Sequence, residues 1–472
     1  MIELDRNGPP LTAQIADGLA ALIQSGQLGA GSRLPSVRQM ATRLSVSTFT
    51  VIAGYDRLIA RNLIEARAGA GYFVIGAAKP HVIDLGSALA DPVDAVGFAL
   101  QALDSSGADV RSGSGFLPES WLCDVVPGTL VARVAKARNA LLASSPAQGH
   151  LGLRRQLSDY LAGFGLAANP AQIITTIGAT QALDLLLRTL LQPGDSVIVE
   201  DPGYLFYSAQ ARAMDLNLVP VPRLTDGPDL AAFEEAVKSF KPKVFVTQTL
   251  LHNPTGSTTS AAHCHRLLSL VESHGLAVIE DDVYGSIAPK GATRLAQLDG
   301  LRRTYYVSSF SKLLSPALRV GFMAVPREAV DSIVGQKILS VLGTPSLGEA
   351  IVEAVLDSGR YSRHTLKVGG KLAQHRQRAQ VLLTEAGVTL EPADGLFLWG
   401  RFEPMKDSDS WVRRALEAGI LLAKGSLFSP TGHYTDYLRF NVAHSCDARL
   451  GHFLRGTAVQ PKAEVRYLRP RS

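Results

Sequence analysis

The stretch SSFSKLLSPALRVG, Ser308 to Gly321, holds Lys312 inside a short polar run closed by a proline. A lysine that merely solvates a surface needs no such shaped loop. Ser309 and Arg319 accompany it as candidate holders of a phosphate, which demands an arginine and several N–H groups because burying it unpaired is very costly. In VIEDDVYG, Asp281 ends an apolar run, and a carboxylate buried there requires a partner. The expected partner is a protonated heteroaromatic nitrogen. In LLHNPTG a Pro-Thr-Gly turn fixes the direction of Asn253, and in EDPGYLFY Tyr204 is placed to stack on a flat ligand. GATQALDLLL puts Gly178 and Ala179 in a close turn before a helix expected to begin near Gln181, whose N–H groups make a natural phosphate seat. Taken singly, these residues have blander explanations. A strand-to-helix turn explains Gly178 equally well, and a core-edge tyrosine explains Tyr204.

The elements that must position them make the set more than a coincidence. From about residue 96 onward, helical stretches alternate with short runs rich in apolar and β-branched residues: QIITTIG, SVIVED, KVFVTQT, LAVIEDD, RTYYVSS and VGFMAVP. That alternation predicts a mainly parallel sheet covered by helices. In such sheets ligands gather at the carboxyl ends of the strands. The polar residues that follow these runs therefore read as one site.

The first seventy-odd residues have a different character. PPLTAQIADGLAALIQSGQL predicts an amphipathic helix with Ile15, Leu19, Leu22 and Ile23 on one face. SVRQMATRL predicts a second helix, with Ser36 as its N-cap and Leu44 at its end. Ser47 caps a third, TFTVIAGYDRLIARN, with Val51, Tyr55 and Leu58 as the inner stripe, Phe49, Ala53 and Arg57 opposite and Thr50 on the flank. Two short helices joined by a tight turn form a helix-turn-helix, whose second helix enters the major groove. LIEARAGAGYFVIG reads as a β-hairpin wing, and GAAKPHVIDLGSALADP, from Gly76, as a short linker.

At 472 residues the chain exceeds what one hydrophobic core usually supports. Hydrophobic residues at 46% and charged residues at 19% give the balance of a soluble globular protein. No apolar run is long enough for a transmembrane helix, and the acidic start MIELDRN is unlike a signal peptide. Cys123, Cys264 and Cys446 are scattered and lack metal-ligand spacing. They fit small buried apolar side chains in a reducing cytoplasm, with no metal site. The net charge of +5 is compatible with an anionic partner. Six arginines, at 33, 38, 43, 57, 61 and 67, face only Asp56 and Glu65 in the Arg33–Arg67 segment. That excess suits a phosphate-facing surface.

LPSVRQMATRLSVSTFTV and AGAGYFV resemble the winged-helix head of the GntR family. The likeness implies DNA contacts from Arg33, Ser36, Arg38, Ser47, Thr48 and Thr50, with Arg67 and Gly71 in the wing. Thr48 departs from the family's usual arginine and cannot make its bidentate guanine contact. The later motifs, in their order, resemble the fold-type I pyridoxal-phosphate enzymes of the aspartate aminotransferase class. That resemblance implies pyridoxal 5'-phosphate held as an internal aldimine on Lys312. It also implies Asp281 on the pyridine nitrogen, Tyr284 and Asn253 on the phenolic oxygen, and Tyr204 on the ring. Ala179, Thr180, Ser309 and Arg319 would hold the phosphate, and Arg439, in YLRFNVAH, the carboxylate of an amino-acid ligand. Ser144 stands where the family usually has a tyrosine that reaches the neighbouring subunit's phosphate, five residues before Gly149.

The expected fold class is thus α/β, with a winged helix-turn-helix domain over residues 1–76 and a linker over 77–95. A fold-type I domain with a smaller C-terminal subdomain follows over 96–460, and then a basic tail over 461–472, read as disordered. This is the arrangement of the MocR subfamily of bacterial transcriptional regulators. It implies a cytoplasmic homodimer that binds an operator in double-stranded DNA and senses pyridoxal phosphate or a small amino compound, with no membrane partner. A working aminotransferase whose head is vestigial or used for docking is the alternative.

Overall fold

The computed structural model describes residues 4–6, 8–24, 28–29, 31–61, 63–67, 71–74, 94–103, 107–138, 145–405 and 407–456. Residues 77–93 of the expected linker, the tail over 461–472 and Ser144 lie outside the described residues. The chain divides into two compact units, residues 1–87 and 88–472.

In the first unit, α1 (Leu11–Gln24), α2 (Val37–Leu44) and α3 (Thr48–Ala60) precede a hairpin of β1 (Ile64–Arg67) and β2 (Gly71–Val74). Ser36 starts α2 with a capping box, accepting from the Gln39 N–H while the Gln39 side chain accepts from the Ser36 N–H at 3.0 Å. Such a pair satisfies two amides that a helix start otherwise leaves open. Ser45, in a left-handed conformation with φ of 52°, ends α2. Ser47 then opens α3 by accepting from the Thr50 N–H at 3.1 Å. Val51, Tyr55 and Leu58 are fully buried, as the inner stripe requires, and pack with Ile15, Leu19 and Met40. Gly54 allows α3 to lie close on α1, since a Cβ there would stand 3.0 Å from the Ile15 side chain. The hairpin pairs Ile64 with Val74 and Arg67 with Gly71.

In the second unit, α4 (Ala95–Leu103) comes first, and an eight-stranded sheet follows. Its strands are β3 (Ile173–Thr176), β4 (Ser196–Asp201), β5 (Asn217–Leu224), β6 (Gly227–Pro228), β7 (Val244–Thr247), β8 (Ala277–Asp281), β9 (Thr304–Ser309) and β10 (Gly321–Ala324). Their order is β3-β10-β9-β8-β7-β4-β5-β6. Strands β5, β4, β7, β8 and β9 pair in parallel, while β10 runs antiparallel to both β3 and β9. All six apolar runs read from the sequence are strands of this sheet. The two strands absent from that reading are the two-residue β6 and β5, whose prolines at 220 and 222 obscure the signal. They are tolerated because β5 is paired along one side only, with β6 covering just Arg223 and Leu224 on the other. A second, four-stranded antiparallel sheet orders β11 (Thr389–Leu390), β12 (Phe397–Arg401), β14 (Tyr437–Asn441) and β13 (Ala423–Lys424).

The parallel run has a direct consequence for the site. Asp201, Thr247, Asp281 and Ser309, the last residues of β4, β7, β8 and β9, come out on one edge of the sheet. The loops carrying Tyr204, Asn253 and Lys312 all start there.

Candidate functional site

These loops, with the first turn after β3 and part of β14, enclose a cavity of about 480 Å³. Ala179, Thr180, Tyr204, Asn253, Asp281, Tyr284, Ser309, Lys312, Arg319 and Arg439 all line it. The structure therefore brings together all ten body residues expected to hold a cofactor or its ligand, while Ser144 lies outside the described residues.

One end is built for an anion. Gly178, at φ of 81°, turns the chain so sharply that the helix α5 (Ala179–Leu190) begins at once. It starts two residues before the expected Gln181, whose side chain instead accepts from the Ile177 N–H at 2.7 Å. A Cβ on Gly178 would lie 2.8 Å from the Arg319 guanidinium. Arg319 donates to the Ile177 carbonyl at 3.2 Å and to Ser311 Oγ at 3.4 Å, and the Ser309 hydroxyl reaches Ser311 Oγ at 3.1 Å. A helix N-terminus, a guanidinium and two hydroxyls thus converge, the combination that binds phosphate.

Asp281 is 2% exposed. Its Oδ2 accepts from Tyr207 at 2.8 Å and from Gln248 Nε2 at 3.0 Å. Its Oδ1 is buried and has no hydrogen-bond partner among the described residues. Burial pushes the carboxyl up to about 6, against the two hydrogen bonds that favour its ionised form. Lys312 Nζ donates to the Gly115 carbonyl at 3.3 Å and lies 4.1 Å from the centre of the Phe116 ring. Burial, and then the Arg439 charge, push its ammonium down to about 8, with Asp281 opposing.

Arg439, on β14, is 2% exposed and lies against Phe397 and Phe428, 4.4 and 4.7 Å from their ring centres. It donates to Asn253 Oδ1 at 2.9 Å and to the Gly113 carbonyl, while its Nε is buried without a partner among the described residues. With its oxygen so engaged, Asn253 offers the cavity its amide N–H₂. Burial holds the Tyr284 and Tyr204 hydroxyls well above the usual tyrosine range, so both are donors.

Sequence reasoning missed Tyr207, Gln248, Ser311, Phe98 and Phe116. Tyr207 stands three residues beyond Tyr204, on the first turn of α6 (Leu205–Ala213), and its spacing alone could have suggested a second ring at the site. Gln248 had no local signal. It acts twice, since its Oε1 also accepts from the Asn253 N–H at 2.9 Å. Beneath it, Glu200 pairs with Arg223 and stands 3.4 Å from His252, while Arg223 reaches Ser257 at 3.1 Å. This buried network anchors the HNPTG loop to β4 and β5.

In the first unit, Arg33, Ser36, Arg38, Ser47 and Thr48 are exposed and Thr50 is half-buried. The Ser36 and Ser47 hydroxyls serve as caps, and Thr50 Oγ1 sits 2.8 Å from Ser47 Oγ. Arg33 bridges Phe73 of the wing, and a Cβ on Gly71, at φ of 104°, would stand 3.4 Å from its guanidinium. Arg67 pairs with Glu65 at 2.7 Å and covers the Phe73 ring at 4.6 Å. Arg33, Arg38, Arg43 and Arg57 form no ion pair among the described residues. Phe49, next to Thr48 in the first turn of α3, is 79% exposed.

Residues 11–74 match the gntR family of bacterial regulatory proteins, and residues 122–456 match the aminotransferase class I and II family. An uncharacterized HTH-type transcriptional regulator of Escherichia coli (strain K12), YdcR, is 31% identical over 451 residues, covering 91% of this chain and 94% of YdcR. The probable rhizopine catabolism regulatory protein MocR of Rhizobium meliloti is 29% identical, covering 89% and 87%. Among solved structures, LysN, the α-aminoadipate aminotransferase of Thermus thermophilus complexed with N-(5'-phosphopyridoxyl)-L-leucine, is 28% identical with a TM-score of 0.67. That match covers 74% of this chain and 93% of LysN.

Proposed function

The chain belongs to the HTH-type transcriptional regulators that join a gntR-family head to an aminotransferase class I and II body, and on that premise we propose that it is a MocR-like, pyridoxal-phosphate-dependent regulator. The head binds double-stranded DNA through α2, the start of α3 and the wing, using the residues named above. The body holds pyridoxal 5'-phosphate in the 480 Å³ cavity and responds to the cofactor itself or to a small amino compound. Two copies act together, presenting two heads to two half-sites.

The observation that carries this reading is a pair of complementary buried atoms on two residues that line one cavity. Asp281 Oδ1 is an acceptor without a donor, and Arg439 Nε a donor without an acceptor, among the described residues. A protonated pyridine nitrogen answers the first and a ligand carboxylate the second. The anion seat of Ala179, Thr180, Ser309 and Arg319 answers the phosphate. When bound, pyridoxal phosphate supplies an aldehyde that takes up amines and a ring that withdraws electrons.

The chain's own residues prepare that chemistry. At a pKa of about 8, roughly a tenth of Lys312 is uncharged at pH 7, far more than for an ordinary lysine. That neutral amine is the form able to attach the cofactor. Tyr207 and Gln248 hold Asp281, still ionised at neutral pH, so that its free oxygen would keep a ring nitrogen placed against it protonated. Tyr204 supplies a ring face, and Asn253 and Tyr284 supply donors. An amino ligand held beside Lys312, with its carboxylate on Arg439, would alter DNA affinity to the extent that it prefers one arrangement of heads.

Borohydride reduction followed by peptide mapping tests the attachment: the cofactor should be fixed to Lys312. Lys312→Ala should abolish the bound-cofactor absorbance and leave the fold intact. Cofactor fixed to another lysine overturns the assignment. Turnover with 2-oxoglutarate or pyruvate at about 1 per second or faster would favour the enzyme reading.

A further inference from the structure

Resting on that reading, we infer that the small-molecule ligand is an α-amino acid with an uncharged, apolar side chain, aliphatic or aromatic. The charged residues lining the cavity are Asp281, Lys312, Arg319 and Arg439. In that reading the ring nitrogen would take Asp281, the cofactor's aldehyde Lys312, the phosphate Arg319 and the α-carboxylate Arg439, so among the described residues no further charge is dedicated to a ligand side chain. Apart from Thr180, Tyr204, Gln248, Asn253, Tyr284, Ser309 and Ser311, gathered around the places of the phosphate and ring, the remaining described wall is hydrocarbon. Helix α4 contributes Phe98, Ala102 and Leu103, the loop before the short helix Glu119–Leu122 contributes Phe116, and α6 contributes Leu205 and Phe206.

These groups stand beside the two atoms that fix an amino acid's backbone. The Phe116 ring centre is 4.1 Å from Lys312 Nζ, and the Phe98 ring centre is 6.0 Å from Arg439 Cζ. Phe98 is 3% exposed and packs with Leu205, Phe428 and Trp399 in one hydrophobic cluster, with Tyr204 and Phe206 against it. A side chain leaving the α-carbon between these walls gives up water on several sides. An apolar group gains from that, whereas a carboxylate or ammonium is desolvated without a counter-charge.

A further cation, Arg111, lies in the adjoining cavity of about 840 Å³. Its guanidinium donates to the Ala102 carbonyl, and Asp109 and Glu119 line the same cavity. A long acidic side chain reaching it would therefore meet the Glu119 carboxylate as well, and Asp109, which is paired with Arg449 at 3.0 Å.

The test uses the full chain with pyridoxal phosphate bound, titrated with L-leucine, L-phenylalanine, L-glutamate, L-2-aminoadipate and 3-methylbutylamine while the cofactor absorbance is followed. Leucine or phenylalanine should half-saturate at a concentration about tenfold or more below either acid, a difference typical of pocket discrimination. The amine, which is leucine without its carboxylate, should bind about tenfold more weakly for want of a partner for Arg439. Leu103→Arg, at a position 69% exposed that tolerates a polar side chain, should narrow or reverse the preference towards glutamate. An acid binding as well as leucine, an unchanged preference in Leu103→Arg, or no response to any of these compounds overturns the inference while leaving cofactor attachment at Lys312 standing. Borohydride mapping that finds Lys312 unmodified overturns the underlying reading together with it.

Discussion

Replacing Asp281 by asparagine separates what its carboxylate costs the fold from what it contributes to ligand binding. Folding carries this group from an ordinary 3.8 up to about 6, chiefly through burial. The folded chain therefore holds the proton more tightly than the unfolded chain does. Its contribution to stability is intact below pH 3.8 and is lost as the pH rises through about 6. The gap of about 2 pH units, at about 1.4 kcal/mol each, amounts to about 3 kcal/mol at neutral pH. Asparagine keeps the size and an acceptor oxygen for Tyr207 and Gln248 but carries no charge. Without cofactor, Asp281→Asn should be more stable than the native chain at pH 7.5, by up to about 3 kcal/mol, and the difference should shrink towards pH 4. Added pyridoxal phosphate should invert the ranking, because only the native carboxylate meets a protonated ring nitrogen. Urea unfolding followed by tryptophan fluorescence, with and without cofactor at both pH values, measures each term. A cofactor-free variant less stable than the native chain at pH 7.5, or one that gains as much from the cofactor, would refute the reasoning.

Two further predictions bear on the parts around this group. Tyr207→Phe removes a donor that favours ionised Asp281, so the Asp281 pKa should rise further. A pH titration of bound-cofactor absorbance should then show loss of binding beginning at higher pH than in the native chain, and an unmoved profile would discount the hydrogen bond. Arg38→Ala should weaken operator binding and reduce the slope of log affinity against log salt by about 1, with the cofactor spectrum unchanged. An unaltered salt slope would place the DNA-facing surface elsewhere.

Much of this protein was legible in local patterns. Ser36 and Ser47 announced helix starts because a cap and its helix are neighbours in sequence. The six apolar runs announced strands because burial on both faces leaves little choice of residue. The chemically equipped residues, Lys312, Asn253 and Arg319 in shaped loops and Asp281 at the end of an apolar strand, could be picked out because together, in this order, they make a set that their separate, blander explanations do not. Even their assembly followed from one inference, that parallel strands deliver their carboxyl ends to a common edge.

What local patterns could not supply was every relation that depends on sheet order and register. Tyr207 meets Asp281 across 74 residues of sequence, and Asn253 meets Arg439 across 186. No spacing rule links such pairs, since they touch only after β4, β7 and β8 are laid side by side and the second sheet has brought in β14. The reversed insertion of β10 between β3 and β9, which sets the Arg319 end of the lysine loop against Gly178, is likewise a choice among packings. The same holds for the apolar wall from α4. Sequence determined which groups are available and in what local geometry, and tertiary packing alone decided which of them share one desolvated space and so shift one another's charge.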